Sequence, residues 1–463
     1  MKDAAYSLVD FLSQLRYEHI PAQALEMVRL DVLDYFGNTL GGSSDSAIQS
    51  CLDIMCSMGG AGQCPVIGHG AKLPAPDAAF INAAQGFCLD YDDTHEGANT
   101  HLGVACIPAA LATAELVGGT DGKTFLTAVT GGMELAARLG IGCRRKIPTH
   151  IMGGWDYAAL HGIFSAAAAA GLIFGLTRKQ LLQMMGIAYQ QAGGNTLSAI
   201  EEADTKKLGP GFAARGGVLS ALLARAGVTG CRSVFTGTPF SLFPMYHDGG
   251  DASRVTEELG TRFVVEELGF KPYPCCRLGH RQVDAVLVMR KEYGLRPEDI
   301  KQVELHVCPQ VDTQLCQPRE SKLEPKSRNA AQFSLPWMIA CALVRGRVGI
   351  GEFLPKTLTD PELRTMAARV KTVRDDRLSN ETIPAQIVIE TEQGRLCRMT
   401  QAPYGSRENP MNALALEEKF RDNLSYAARP LERAAADTLL EGLRQLPELT
   451  DVRFLTAWAN GML

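Results

Sequence analysis

Val303-Glu304-Leu305-His306-Val307 sets apolar and polar side chains in alternation, the period of a strand with one buried face. Toward the N-terminus the spacing is helical instead. Leu25, Val28, Val32 and Tyr35/Phe36 recur on one face behind Pro21, giving two helices within residues 1–42. Further helices are predicted over 46–58, from Pro74 to Ala84, from a Thr120 or Asp121 cap to Leu139, and over 161–174. Arg144-Arg145-Lys146 is expected to close the 121–139 helix with basic charge. Thr177-Arg178-Lys179-Gln180 has the form of a capping box for a helix to Gln191, and 212–226 reads as a small-residue helix. Phe263-Val264-Val265 reads as extended. Beyond the alternating stretch, 370–373, 385–390 and 395–400 read as strands, the last two joined at Gln393-Gly394, with helices over 279–292 and 332–344. After Pro403 an amphipathic helical run covers 413–446. The expected fold class is mostly α with an inserted α+β domain: 1–265 all-helical, 266–402 α+β, and 403–463 returning to the helical domain.

The totals agree with an enzyme-sized chain of two domains. At 463 residues it exceeds the usual single-domain size. Hydrophobic residues make up 46% and mean hydropathy is −0.03, so a large core is available. A net charge of −5 gives no footprint for nucleic acid or an anionic membrane. The thirteen cysteines include no C-x-x-C pair, which points to free thiols in a reducing compartment and away from a zinc ribbon or disulfide framework. Adjacent Cys275-Cys276 read as buried small residues. Asp3 interrupts any apolar leader, and the most apolar run, 163–176, is too short to span a bilayer. A cytoplasmic enzyme is expected.

Three stretches carry chemistry. In Gly86-Phe87-Cys88-Leu89-Asp90-Tyr91-Asp92-Asp93-Thr94-His95-Glu96-Gly97-Ala98-Asn99-Thr100-His101, three carboxylates fall within four residues and two imidazoles follow. No Lys or Arg accompanies them and apolar runs bracket them, unlike a solvated charged face. Such groups have perturbed pKa values and mark functional sites. The plainer reading is that Asp92, Asp93 and Thr94 only cap the next helix. Asp92-Asp93-x-x-Glu96 also matches the magnesium-binding pattern of isoprenoid synthases, but no second acidic motif has the matching spacing. A P-loop at 118–124 and a calcium loop at 90–95 each fail at required positions. The second stretch, Asp204-Thr205-Lys206-Lys207-Leu208-Gly209-Pro210-Gly211, sets two Lys ahead of a helix, an anion site if it is not simply a solvated linker. The third, Lys271-Pro272-Tyr273-Pro274-Cys275-Cys276-Arg277-Leu278-Gly279-His280-Arg281, uses two prolines to stiffen a loop that delivers Arg277 and His280. Arg suits carboxylates through its planar fork, and His carries protons near neutrality, although a lone His is more often structural.

Taken together with Leu30–Asp34, Ala166–Gly175, Phe333-Ser334-Leu335-Pro336 and 405–410, these stretches resemble the MmgE/PrpD family over nearly the whole chain. That family includes 2-methylcitrate dehydratase, cis-aconitate decarboxylase and iminodisuccinate epimerase. The resemblance implies a helical domain with an α+β lid, an active site in the cleft between them, homodimers, and chemistry with no obligatory cofactor and no metal. Matching positions nominate Asp90, Thr94, His101, Lys206 and His280 as catalytic groups; Arg277, Lys207, Asp93, Asp156 and Lys271 are expected to bind substrate. Two positions depart from the family's pattern. Asp156 stands where members commonly have His, with His161 five residues on, and Phe87 replaces a frequent His. The expected activity is a cofactor-independent lyase, a dehydratase or decarboxylase, on a small di- or tricarboxylate. His280 or His101 would be the base, Lys206 and Arg277 the anion anchors, and His101 or Asp90 the acid. An epimerase of a dicarboxylate needs the same carbanion and is the alternative. A magnesium-dependent isoprenoid synthase and a non-catalytic carboxylate-binding homologue are the readings from other classes.

Overall fold

Small residues let the helices of this chain approach closely, and that decides where its charged groups can sit. The computed structural model describes residues 3–143, 154–247, 250–378 and 385–462. These fall into two compact units: Met1–Thr196 with Thr205–Phe270 and Asn412–Leu463, and Leu197–Asp204 with Lys271–Met411.

The first unit is helical. Helices Ala75–Phe87, Gly103–Val117, Gly162–Ile173 and Thr205–Arg225 pack on one another, and Ala22–Gly42 lies between Ala75–Phe87 and the C-terminal helix Ala413–Leu424. A Cβ on Gly217 would stand 2.6 Å from the Ala167 amide, and one on Gly211 2.8 Å from the Phe80 carbonyl. Both contacts are shorter than any side chain tolerates, so Thr205–Arg225 touches its neighbours backbone to backbone. The capping box at Thr177 forms at the head of Arg178–Tyr189, and Asp121 accepts from the Thr124 amide at 2.7 Å ahead of Gly122–Cys143. Arg144-Arg145-Lys146 lie outside the described residues.

Three readings of the sequence are corrected in this unit. The helix expected over 212–226 begins at Thr205. Pro210 falls inside it, where the missing N–H removes a bond to the Lys206 carbonyl. Gly209-Pro210-Gly211 therefore sits within a helix whose small residues serve packing. Val264–Glu267, read as extended, is a 3₁₀ turn. The run expected over 413–446 is two helices, Ala413–Leu424 and Arg433–Arg444, with Pro430 between them.

The second unit holds a four-stranded sheet in the order Val370–Arg374, Ile300–Val307, Gln386–Thr391, Gly394–Met399. The first pairing is parallel and the other two antiparallel. Val303, Leu305 and Val307 turn inward onto helices His280–Glu292 and Leu335–Arg345, whose Val283, Val286, Trp337 and Ile339 complete the core. Residues 197–204 pack with this unit although the helical segments on either side belong to the first. No helix among the described residues is long and apolar enough to cross a membrane.

Candidate active site

Asp90 follows directly on the Ala75–Phe87 helix and its capping turn, with φ +53°, a left-handed conformation that costs a non-glycine residue about 1 kcal/mol or more. That strain turns its carboxylate onto Lys206 in the first turn of Thr205–Arg225, with Nζ 2.7 Å from Oδ1. The same ammonium lies 4.4 Å from the centre of the Phe87 ring. Phe87 presents its other contact to His101, rings edge to face with centroids 5.4 Å apart. Ammonium and imidazole therefore share one aromatic platform. His101 Nδ1 donates to the Asp93 carbonyl at 2.5 Å, with Asp92 Oδ2 3.0 Å away. This leaves Nε2 as the ring's proton-accepting atom.

Asp156 belongs to the same group. Burial pushes its carboxyl pKa up, against the opposing charges of His101 and Lys206. Its Oδ1 accepts from the Ala158 amide, and a Cβ on Gly209 of the lysine helix would meet its Oδ2 at 3.0 Å. Thr94 is held by paired backbone bonds with Gly269, at 2.8 and 2.7 Å. Its Oγ1 is buried with no hydrogen-bond partner among the described residues, an orphan hydroxyl of the kind that a ligand satisfies.

Asp93 has a different place from its neighbours. Its two oxygens accept from the Leu102 and Gly103 amides at the start of Gly103–Val117, at 2.6 and 3.1 Å. Burial, then the Asp92 charge, push its carboxyl up to about 7. Behind it lie Asp31 and Asp34, both raised by burial, with Lys419 2.7 Å from Asp34. The charges of Asp93, Asp34 and Asp92 add to burial in raising Asp31, with Lys419 opposing, so the cluster favours holding a proton. These contacts give Asp92 and Asp93 of the D-D-x-x-E pattern duties other than holding magnesium. His95, the other imidazole of the stretch, is structural: Nε2 donates to the Val264 carbonyl at 2.8 Å and Nδ1 accepts from Ala98. Lys207 turns away from Lys206 onto Asp45, 3.0 Å away, which also caps Ser46–Met58. His161 does not stand in for the missing histidine at 156, because its ring meets Tyr157, Cys143 and His247.

The second unit builds its own pair. His280 is fully buried, with Nε2 donating to the Cys275 carbonyl at 3.1 Å and Nδ1 accepting from Arg277 Nη1 at 3.2 Å. Arg277 Nη1 also donates to the Tyr404 carbonyl, at 2.8 Å. Tyr273 covers the imidazole edge to face and donates to Asp284. Lys271 is buried at the start of this segment.

Sequence reasoning missed Lys419 and left Asp31 and Asp34 without a role. The signal was present in part: Leu416, Lys419, Phe420 and Asn423 form the buried face of one amphipathic helix, and a lysine on such a face needs a buried anion. Lys419 also donates to the Tyr91 carbonyl at 2.6 Å and covers the Tyr91 ring, tying the Asp90–His101 loop to the C-terminal helices.

The MmgE/PrpD N-terminal domain matches residues 6–253, and the MmgE/PrpD C-terminal domain matches residues 273–442. The chain belongs to the MmgE/PrpD family. Among its relatives is a cis-aconitate decarboxylase of Aspergillus terreus, 27% identical across 95% of this chain and 92% of that protein. A cis-aconitate decarboxylase-like protein, oryM, of Aspergillus oryzae is 24% identical across 98% and 97%. The cis-aconitate decarboxylase of Mus musculus is 26% identical across 84% and 79%.

Proposed function

We propose that the chain is a cofactor-independent lyase of a small di- or tricarboxylate, with cis-aconitate the first substrate to test. The observation that carries this reading is the shared platform of Lys206 and His101 on Phe87, with Asp90 and Asp156 beside it. A buried ammonium binds a carboxylate and stabilises the charge that develops on it, while an adjacent imidazole moves one proton. The names of the relatives support the decarboxylating form.

In that form the bond from carbon to one carboxylate breaks and carbon dioxide leaves. The electron pair stays on the carbon framework, delocalised toward a remaining carboxylate anchored by Lys206, and protonated His101 delivers a proton to carbon. In the dehydrating form a base takes the proton alpha to a carboxylate, the pair forms the double bond, and hydroxide leaves as water with a proton from the acid. His280 serves as the second proton carrier once a substrate carboxylate draws Arg277 off its Nδ1, and Arg277 is the second anion anchor. Thr94 Oγ1 and Asp156 orient substrate.

One observation favours an epimerase instead: Asp156 sets a carboxyl with a raised pKa beside an imidazole, an acid and a base of different kinds. Product analysis by proton NMR separates these outcomes. A decarboxylated or dehydrated product supports the lyase reading. Inversion without loss of carbon dioxide or water overturns it in favour of the epimerase.

A further inference from the structure

A second cluster in the helical unit takes no part in this chemistry. Cys143 ends the helix Gly122–Cys143, His161 stands directly before Gly162–Ile173, and His247 follows the short helix Leu242–Tyr246. All three are buried, with exposures of 3%, 0% and 6%. His161 Nε2 lies 3.5 Å from Cys143 Sγ and 3.3 Å from His247 Nε2, and the three atoms fall within 4.8 Å of one another.

We propose that Cys143, His161 and His247 form a binding site for one zinc-class divalent ion. Around a tetrahedral ion bonded at about 2.0–2.1 Å to nitrogen and 2.3 Å to sulfur, neighbouring ligand atoms stand about 3.3 Å apart for two nitrogens and about 3.5 Å for nitrogen and sulfur. The two distances meet those edges. The donor set fits too, since thiolate and imidazole select zinc over magnesium or calcium.

Two Nε2 atoms that face each other without an ion share a single proton. An ion at the point of convergence turns the facing lone pairs into bonds. Tyr157 stacks on His161 at 4.7 Å, and Phe243 meets His247 edge on at 5.3 Å, so both rings are oriented before any ion arrives. Binding through Cys143 Sγ takes the thiolate form, so the thiol proton passes to solvent. The ion clasps three separate helix ends, and its role is structural. The inference stands whether or not the proposed lyase activity is correct.

The test uses the full chain, stripped with a chelator and titrated with cobalt(II). The expected result is one cobalt per chain, with visible bands of a tetrahedral ion and a thiolate-to-cobalt charge-transfer band, both bleached by one equivalent of zinc. Cys143→Ser removes the charge-transfer band, and His247→Asn weakens binding at least tenfold, with circular dichroism confirming the fold of each. Zinc raises the melting temperature of the wild type. Absence of the charge-transfer band in the folded wild type overturns the proposal. So does a band that survives Cys143→Ser. If Cys143→Ser does not fold, His247→Asn decides by the same titration, and unchanged affinity there overturns the site.

Discussion

Lys206→Met removes the ammonium while keeping most of the side-chain volume, and two effects of different size follow. The pair with Asp90 is nearly buried, with side-chain exposures of 12% and 5%. Breaking a buried pair by removing one partner costs about 3–5 kcal/mol. Lys206 keeps some solvent and Asp90 can take up a proton, so about 2–3 kcal/mol is expected here. Loss of the contact with Phe87 adds up to about 1 kcal/mol. Asp90→Asn is the matching probe, because asparagine tolerates the left-handed backbone at φ +53°. If the charges are coupled, Lys206→Met/Asp90→Asn is less destabilised than the sum of the single variants by at least about 1 kcal/mol. Urea midpoints at constant m measure this. Turnover moves differently. Removing a preorganised charge from a developing carboxylate dianion costs about 2.7–4 kcal/mol, 10²–10³ in kcat, and the double variant recovers none of it. Additive stability losses would refute the pairing argument. Wild-type turnover in folded Lys206→Met would refute the anchor.

Phe87→Ala withdraws the platform from both Lys206 and His101, and kcat/KM for the converted substrate should fall about 5- to 30-fold, for about 1–2 kcal/mol; an unchanged value would mean the rings only fill space. For Asp93, the folded pKa of about 7 lies above the ordinary 3.8. The folded state therefore binds the proton more tightly, and its contribution is present below pH 4 and lost as pH rises through 7. Asp93→Asn should thus show a stability deficit that shrinks between pH 4.5 and 7.5, whereas a constant deficit would show that the carboxyl does not titrate there. His280→Gln should fold and lose at least about 100-fold in kcat; wild-type kcat would remove His280 from the proton chemistry and leave it a packing group.

Elements with one dominant period were legible in the sequence. The strand at Val303–Val307 appears where alternation placed it, because it has one buried face, and the hairpin turns at Glu392-Gln393, one residue ahead of the expected Gln393-Gly394. Legibility failed where a local signal served a tertiary purpose. Gly209-Pro210-Gly211 looks like a helix breaker, yet Gly211 is needed for contact with Phe80 and Pro210 costs one bond near the helix start. In the candidate site, the stretches that hold Asp90, His101 and Lys206 stood out by chemistry, and the family resemblance nominated the residues. The choice between Lys206 and Lys207 did not, since only helix phase turns one onto Asp90 and the other onto Asp45. Phe87 read as the loss of a histidine, and its part as a platform depends on two neighbours distant in sequence.

The most direct test of the central claim is proton NMR of the purified chain in D₂O with cis-aconitate, citrate, 2-methylcitrate, malate, tartrate and iminodisuccinate. One of them should lose carbon dioxide or water and acquire or exchange deuterium at the carbon next to a carboxylate, with both changes abolished by Lys206→Met and by His101→Asn. Deuterium exchange and turnover that persist in both variants would contradict that claim.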